Sequence, residues 1–120
     1  MADYVKFSLT AELKEKQKNI LAKLKRSGKI RIGTNEVTKA IERGTAKLVI
    51  IAEDVQPAEI VMHLPLICKE KNVPFSYSET RKSLGEDVGI TVSTAAIAIV
   101  EEGDAKKDIE DFAKKLKQIV

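Results

Sequence analysis

The spacing of apolar residues changes period several times along the chain. Leu13, Ile20, Leu21 and Leu24 recur at helical intervals over residues 9–26, with Lys14, Lys18, Lys23 and Lys25 on the other faces. This pattern predicts an amphipathic helix, with Thr10 or Ser8 as its cap and Ser27-Gly28 as its end. Lys29-Ile30-Arg31-Ile32 alternates and reads as a short strand. A second helix follows over about 34–43, opened by Gly33 and closed by Gly44. Leu48-Val49-Ile50-Ile51-Ala52 is apolar throughout, as a central strand covered on both faces should be. Pro57 suits the first turn of a helix reaching about residue 71. Ile60, Val61, Leu64, Ile67 and Cys68 form its inner side, and Pro65 is expected to kink it.

Val73-Pro74-Phe75-Ser76-Tyr77 has the pattern of an edge strand, because proline cannot donate to a central ladder. Residues 79–84 predict a short helix stopped by Gly85, and 95–100 a second buried strand. The last helix opens near Asp104 and carries Ile109, Phe112, Ala113, Leu116, Ile119 and Val120 on one stripe. Strands alternate with helices throughout, with no repeat, linker or low-complexity tract. The expected fold is α/β, a three-layer α/β/α sandwich with a mixed four-stranded sheet, in a single domain over residues 1–120.

Composition narrows the chemistry. No apolar run approaches the ~20 residues of a membrane span, and the start, Met1-Ala2-Asp3-Tyr4-Val5-Lys6, lacks a signal-peptide core. The single cysteine, Cys68, sits among apolar neighbours and reads as a buried thiol. A cytoplasmic protein without membrane association is expected. His63, the only histidine, lies beside Val61, Met62 and Leu64 and suits packing better than catalysis. No metal-ligand cluster, nucleophile elbow, phosphate-binding glycine loop or dinucleotide fingerprint occurs, so neither an enzyme nor a cofactor is expected. The net charge of +3 is unevenly spread. Residues 1–44 hold 11 Lys/Arg against 5 Asp/Glu, and residues 45–120 hold 10 against 13. An anionic partner for the first part follows.

The helix after Gly33 concentrates that chemistry. At about 100° per residue, Asn35, Glu36, Lys39 and Arg43 share one face, and Val37, Ala40 and Ile41 share the other. Free N–H groups in its first turn, around Thr34, can also meet phosphate. A solvated surface face with a Glu36/Lys39 pair is the plain alternative. An electrostatic patch alone would have no use for the carboxylate. The segment 83–94 carries Gly85 and Gly89 and places apolar Ile90 and Val92, with Thr91 between them, in a loop. Those two residues either tuck under the loop or pack against an unstacked base or ribose.

With both segments in view, the chain resembles the archaeal large-subunit ribosomal protein L7Ae family, whose members bind kink-turn RNA. The resemblance spans nearly the whole chain. It is carried by Gly33-Thr34-Asn35-Glu36-x-x-Lys39-x-x-x-Arg43-Gly44, His63-Leu64-Pro65-Leu66, Lys71-Asn72-Val73-Pro74 and Leu84-Gly85-x-x-x-Gly89. It implies recognition of tandem sheared G·A pairs at a sharp bend, with Asn35, Glu36 and Lys39 on the bases and Arg43 as a basic position nearby. Arg81 matches a lysine beside the extruded nucleotide, Ile60 an apolar wall of that pocket, and Ile90, Thr91 and Val92 the selectivity loop. Many archaeal relatives carry Glu where Thr91 stands, Pro where Ser93 stands, and Lys where Ile32 stands. The implied partners are ribosomal RNA, box C/D and H/ACA guide RNAs, ribonuclease P RNA and the proteins of those particles. The chain itself is expected to be a monomer before assembly. The competing expectation is a protein-interaction adaptor that docks partners through its acidic C-terminal portion.

Overall fold

Strand β2 (Leu48–Ala52) runs through the centre of the molecule, and all five of its residues are buried. A computed structural model describes residues 4–119, so the expected placement of Val120 lies outside the described residues. β2 pairs with β4 (Ala96–Glu101) on one side and with β3 (Phe75–Ser78) on the other, and β1 (Lys29–Ile32) adds beyond β4. The mixed four-stranded sheet therefore has the order β1-β4-β2-β3. β4 is antiparallel to both neighbours, whereas β2 and β3 are parallel. The register pairs Ile32 with Ile97, Ile51 with Ala96, and Ala52 with Ser78. Hence the C-terminal ends of β1, β2 and β3 and the N-terminal end of β4 meet at one end of the sheet.

Helix α2 (Thr34–Glu42) packs on β4 and β1 through Val37, Ala40 and Ile41, and touches α3 (His63–Glu70). Helix α1 (Ala11–Ser27) packs against α4 (Arg81–Val88) and α5 (Lys106–Ile119). This is the expected three-layer arrangement. The Thr10 hydroxyl accepts from the Leu13 N–H at 3.2 Å and caps α1.

Two helices differ from the sequence expectation. The helix expected from Pro57 is broken: a 3-10 turn at Ala58–Ile60 precedes α3, and Ile60 faces solvent rather than the core. Pro65 falls in the first turn of α3, where its missing N–H would have had no helical acceptor, so it produces no kink. The helix expected to stop at Gly85 runs on to Val88, capped by the Thr80 hydroxyl and closed by Gly89 at φ +84°. Gly85 is buried mid-helix because the Val92 carbonyl oxygen packs where a Cβ would stand.

The edge strand β3 is buried on both faces, which its position alone does not explain. Residues 4–9 strap over it, with Tyr4, Val5, Phe7 and Leu9 all buried. The Phe7 ring lies 5.7 Å from Phe75 and 5.1 Å, edge-on, from Tyr77. The Tyr77 hydroxyl donates to the Tyr4 carbonyl at 2.5 Å and accepts from the Lys6 N–H at 3.1 Å. Gln17, buried on α1, donates to the Tyr77 carbonyl at 2.9 Å and accepts from the Ser76 hydroxyl at 2.6 Å. These bonds satisfy polar groups that the strap takes out of water.

Burial pushes the Tyr77 phenol up to about 12 and raises that of Tyr4 as well. Unfolded tyrosine ionises near ~10, so between there and about 12 the unfolded chain releases a proton that the fold retains at Tyr77. Stability should therefore fall as pH rises through that window. The chain has two tyrosines and no tryptophan, so phenolate absorbance reports these two groups alone. Absorbance should rise late and together with loss of structure. A half-amplitude step at ordinary tyrosine pH in the folded protein would mean that the strap is open.

Gly85→Ala sets two effects against each other. Alanine favours a helix interior over glycine by ~1 kcal/mol. Overpacking costs ~1–3 kcal/mol, and here the obstacle is backbone that a rotamer change cannot move. Net destabilisation should appear in urea unfolding. A gain would mean that the 90–94 loop yields freely.

Candidate nucleic-acid interface

The end of the sheet where three strands finish and β4 begins gathers most of the residues singled out in the sequence. Gly33 leaves β1 at φ +95° and turns the chain into α2. Its N–H donates to the Ala96 carbonyl at 2.9 Å, and the buried Thr94 hydroxyl donates to the same oxygen at 3.1 Å. The first turn of α2 and the loop before β4 are thus tied to one atom. The Ala52 N–H donates to the Ala95 carbonyl at 2.8 Å and brings in the end of β2.

Along α2, Asn35, Glu36, Lys39 and Arg43 are exposed, while Val37, Ala40 and Ile41 are buried, as the helical spacing requires. Lys39 Nζ stands 3.8 Å from Glu36 Oε1, with both side chains more than half exposed. Such a pair is weak and yields readily to better partners. Thr34 is half-buried, and its carbonyl accepts from the Thr38 hydroxyl at 2.8 Å. That hydroxyl lies 2.9 Å from His63 Nε2. His63 is thereby a brace between α3 and α2. Arg43 lies at the far end of α2, about 12 Å from Asn35 at the helical rise. It joins Lys29, Arg31, Lys39, Glu36 and Glu101 around a shallow groove of about 280 Å³. Lys29 Nζ is 3.6 Å from Glu101 there. Lys29 and Arg31 extend the cationic strip beyond the positions read from the sequence.

The loop residues divide. Val92 is 67% exposed, and Thr91 is exposed beside it. Ile90 is half-buried and packs against the core, its N–H bonded to the Gly85 carbonyl at 3.0 Å. Ile60 is 44% exposed on the 3-10 turn. Arg81, exposed at the start of α4, accepts on its carbonyl from the Thr94 N–H at 3.2 Å. Asp54 Oδ1 accepts from the Arg81 N–H at 2.8 Å and stands 3.8 Å from its Nε. The sequence pattern gave no role to Asp54, which follows β2 and accepts from the main chain of Arg81. Its signal was faint: a short polar residue just after a strand and 27 positions before its partner.

This surface offers an amide, a carboxylate, several cations and exposed apolar side chains on a braced backbone. It is suited to hydrogen-bonding base edges, meeting phosphate and stacking or packing an unpaired base. Elsewhere, burial pushes the Cys68 thiol up to about 12, which removes it as a thiolate nucleophile. Among the described residues no helix is long and apolar enough to cross a membrane.

Comparison with known proteins places this geometry. The Giardia lamblia 15.5kD RNA binding protein superposes with a TM-score of 0.90 at 30% sequence identity, and the match covers 100% of both chains. The Ribosomal protein L7Ae/L30e/S12e/Gadd45 family matches residues 15–109, a span that takes in α2, the Asp54 turn, α4 and the 90–94 loop, and the chain belongs to that family.

Proposed function

We propose that this chain is a non-enzymatic RNA-binding protein that recognises kink-turn RNA, stabilises the bend and nucleates assembly of a ribonucleoprotein. The observation that carries this reading is the shared Ala96 carbonyl, which sets the Asn35/Glu36/Lys39 face beside the loop with Val92. The likeness to the Giardia RNA binding protein supports it. Lys39 is suited to guanine O6 and N7. Glu36, when ionised, accepts only, and so asks for guanine or amino N–H donors. Asn35 can both donate and accept. Thr34 offers a helix N-terminal amide, and Arg43, with Lys29 and Arg31 beside it, meets phosphate. Ile60, Arg81, Thr91 and Val92 surround the place of an unstacked nucleotide, with Ile90 supporting the loop from below. Regular A-form RNA hides these base edges in its deep groove, whereas a kink with non-Watson–Crick pairs opens them. Ribosomal RNA, box C/D and H/ACA guide RNAs and ribonuclease P RNA are the proposed targets, with the proteins of those particles as partners. The chain is proposed to act as one domain, monomeric before assembly, in the cytoplasm.

A hairpin with two sheared G·A pairs, and the same hairpin with Watson–Crick pairs in their place, test the reading. The first should bind much more tightly at near-physiological salt. Equal affinity would favour an adaptor with little RNA readout. Glu36→Gln sharpens the test, because Glu36 cannot contact phosphate favourably. The substitution should weaken kink-turn binding by ~1–3 kcal/mol, narrow the preference over duplex, and leave the salt slope nearly unchanged. Lysine contacts to phosphate instead each steepen that slope by ~0.7–0.9. A gain in affinity for every RNA would return α2 to an ordinary solvated face.

The division within the loop gives a second test. Val92→Ala should weaken RNA binding with little effect on thermal stability. Ile90→Ala should lower both, yet cost less stability than Ile50→Ala, whose side chain is fully buried and whose loss costs ~2–5 kcal/mol. Equal behaviour of the two loop variants would remove the distinction.

A further inference from the structure

The N-terminal strap reaches the RNA-facing end of the sheet through one hydroxyl. Tyr4 is 1% exposed, and its phenol spans the turn after β2. It donates to the Ala52 carbonyl at 2.7 Å and accepts from the Val55 N–H at 3.1 Å, so it clamps the backbone on either side of Glu53 and Asp54. The Glu53 N–H is fixed in turn to the Ser78 carbonyl at 2.9 Å. Asp54 is therefore held from behind. Its Oδ1 receives the Arg81 N–H at 2.8 Å and faces Arg81 Nε at 3.8 Å. The Arg81 carbonyl receives the Thr94 N–H at 3.2 Å, and the Thr94 hydroxyl reaches the Ala96 carbonyl that also anchors Gly33. Hydrogen bonds joined by short stretches of backbone thus lead from a fully buried phenol to the main chain of Arg81, whose guanidinium stands 3.8 Å from Asp54, and on to the loop beside α2.

The geometry points to Tyr4 and Asp54 as positioning residues that hold Arg81 and the 90–94 loop in the arrangement an unstacked nucleotide requires. The inference rests on the kink-turn reading for its ligand, while the coupling it asserts is a property of the free protein. Neither residue needs to touch RNA. Tyr4 is shielded from it, and Asp54, an anion, would be repelled by phosphate. Asp54 serves as a cap for α4 and a rest for Arg81, and the Tyr4 phenol fixes the turn that carries it. Fixing these groups before binding lowers the ordering cost of complex formation.

Tyr4→Phe removes the hydroxyl and keeps the ring that fills the core. It should lower affinity for a kink-turn hairpin by about fivefold, the weight of one hydrogen bond, with an unchanged salt slope. The same hairpin made abasic at the extruded nucleotide should bind wild type and Tyr4→Phe alike. Asp54→Ala, which leaves the strap intact, should show the same pattern. In an Arg81→Ala background Tyr4→Phe should cost less than in the wild type, the remainder acting through the loop that the main chain of residue 81 still holds. Amide hydrogen exchange without RNA gives an independent reading. Arg81 and Thr94 should exchange faster in Tyr4→Phe, while Ile50 and Ile97 in the central strands keep their protection. Equal loss on intact and abasic RNA would overturn the inference, as would unchanged exchange at Arg81 and Thr94. Failure of the wild type to distinguish G·A from Watson–Crick hairpins would sink the functional reading instead, and the exchange experiment would still decide the coupling.

Discussion

The Ala96 carbonyl oxygen accepts two hydrogen bonds from parts of the chain that are far apart in sequence, and the candidate site is assembled around it. One donor is the N–H of Gly33, at the mouth of α2, and the other is the hydroxyl of Thr94, at the close of the loop. Both can reach it because β4 enters the sheet antiparallel between β1 and β2. Had β4 run the other way, its first residue would lie at the opposite end from α2. Strand direction alone thus brings four connecting segments to one edge, and hydrogen bonds then fix their spacing. The positive φ of Gly33 is the local requirement for this, since the turn from β1 into α2 uses backbone space that a side chain disfavours.

Rigidity and adaptability are divided between backbone and side chains. Main-chain groups of Gly33, Ala52, Arg81, Thr94 and Ala96 are tied to one another or to buried partners. The side chains above them are held loosely: Lys39 by a long, solvated contact to Glu36, Arg81 by a half-exposed carboxylate, Val92 by nothing on its outer face. A polar ligand can therefore replace these contacts without disturbing the frame. The acidic residues take part in this balance. Glu36, Asp54 and Glu101 each stand 3.6–3.8 Å from a neighbouring cation.

Much of this was legible in the sequence because the relevant signals are local. The apolar run of β2, the alternation in β1 and the glycine brackets of α2 each reflect a single element responding to burial on its own faces. The failures share the opposite character. Pro65 is tolerated because it falls in the first turn of α3, and position 85 takes glycine because a loop seven residues later packs where a Cβ would stand. The strap was missed although Val5-Lys6-Phe7-Ser8-Leu9 alternates and four of the five aromatic residues fall at Tyr4, Phe7, Phe75 and Tyr77. Its meaning depends on a partner strand some seventy positions away. Asn35, Glu36, Lys39 and Arg43 emerged as one face from helical geometry alone, whereas Asp54 became visible only once the turn and α4 were juxtaposed.

The long reach of the strap bears on how the molecule is put together during synthesis. Residues 4–7 leave the ribosome well before the polar partners that the structure describes for Tyr4, namely Ala52, Val55 and Tyr77. Until β3 has emerged and paired with β2, an aromatic N-terminal segment has no surface to cover, and the turn carrying Asp54 has no clamp. Contacts of such wide sequence separation close late because the intervening chain must be ordered first. The strap is thus made well before the surface that seats it. A nascent chain that holds β2 but not yet β3 would present the Asp54 turn without a seated clamp, so the order of that turn follows the seating of the strap.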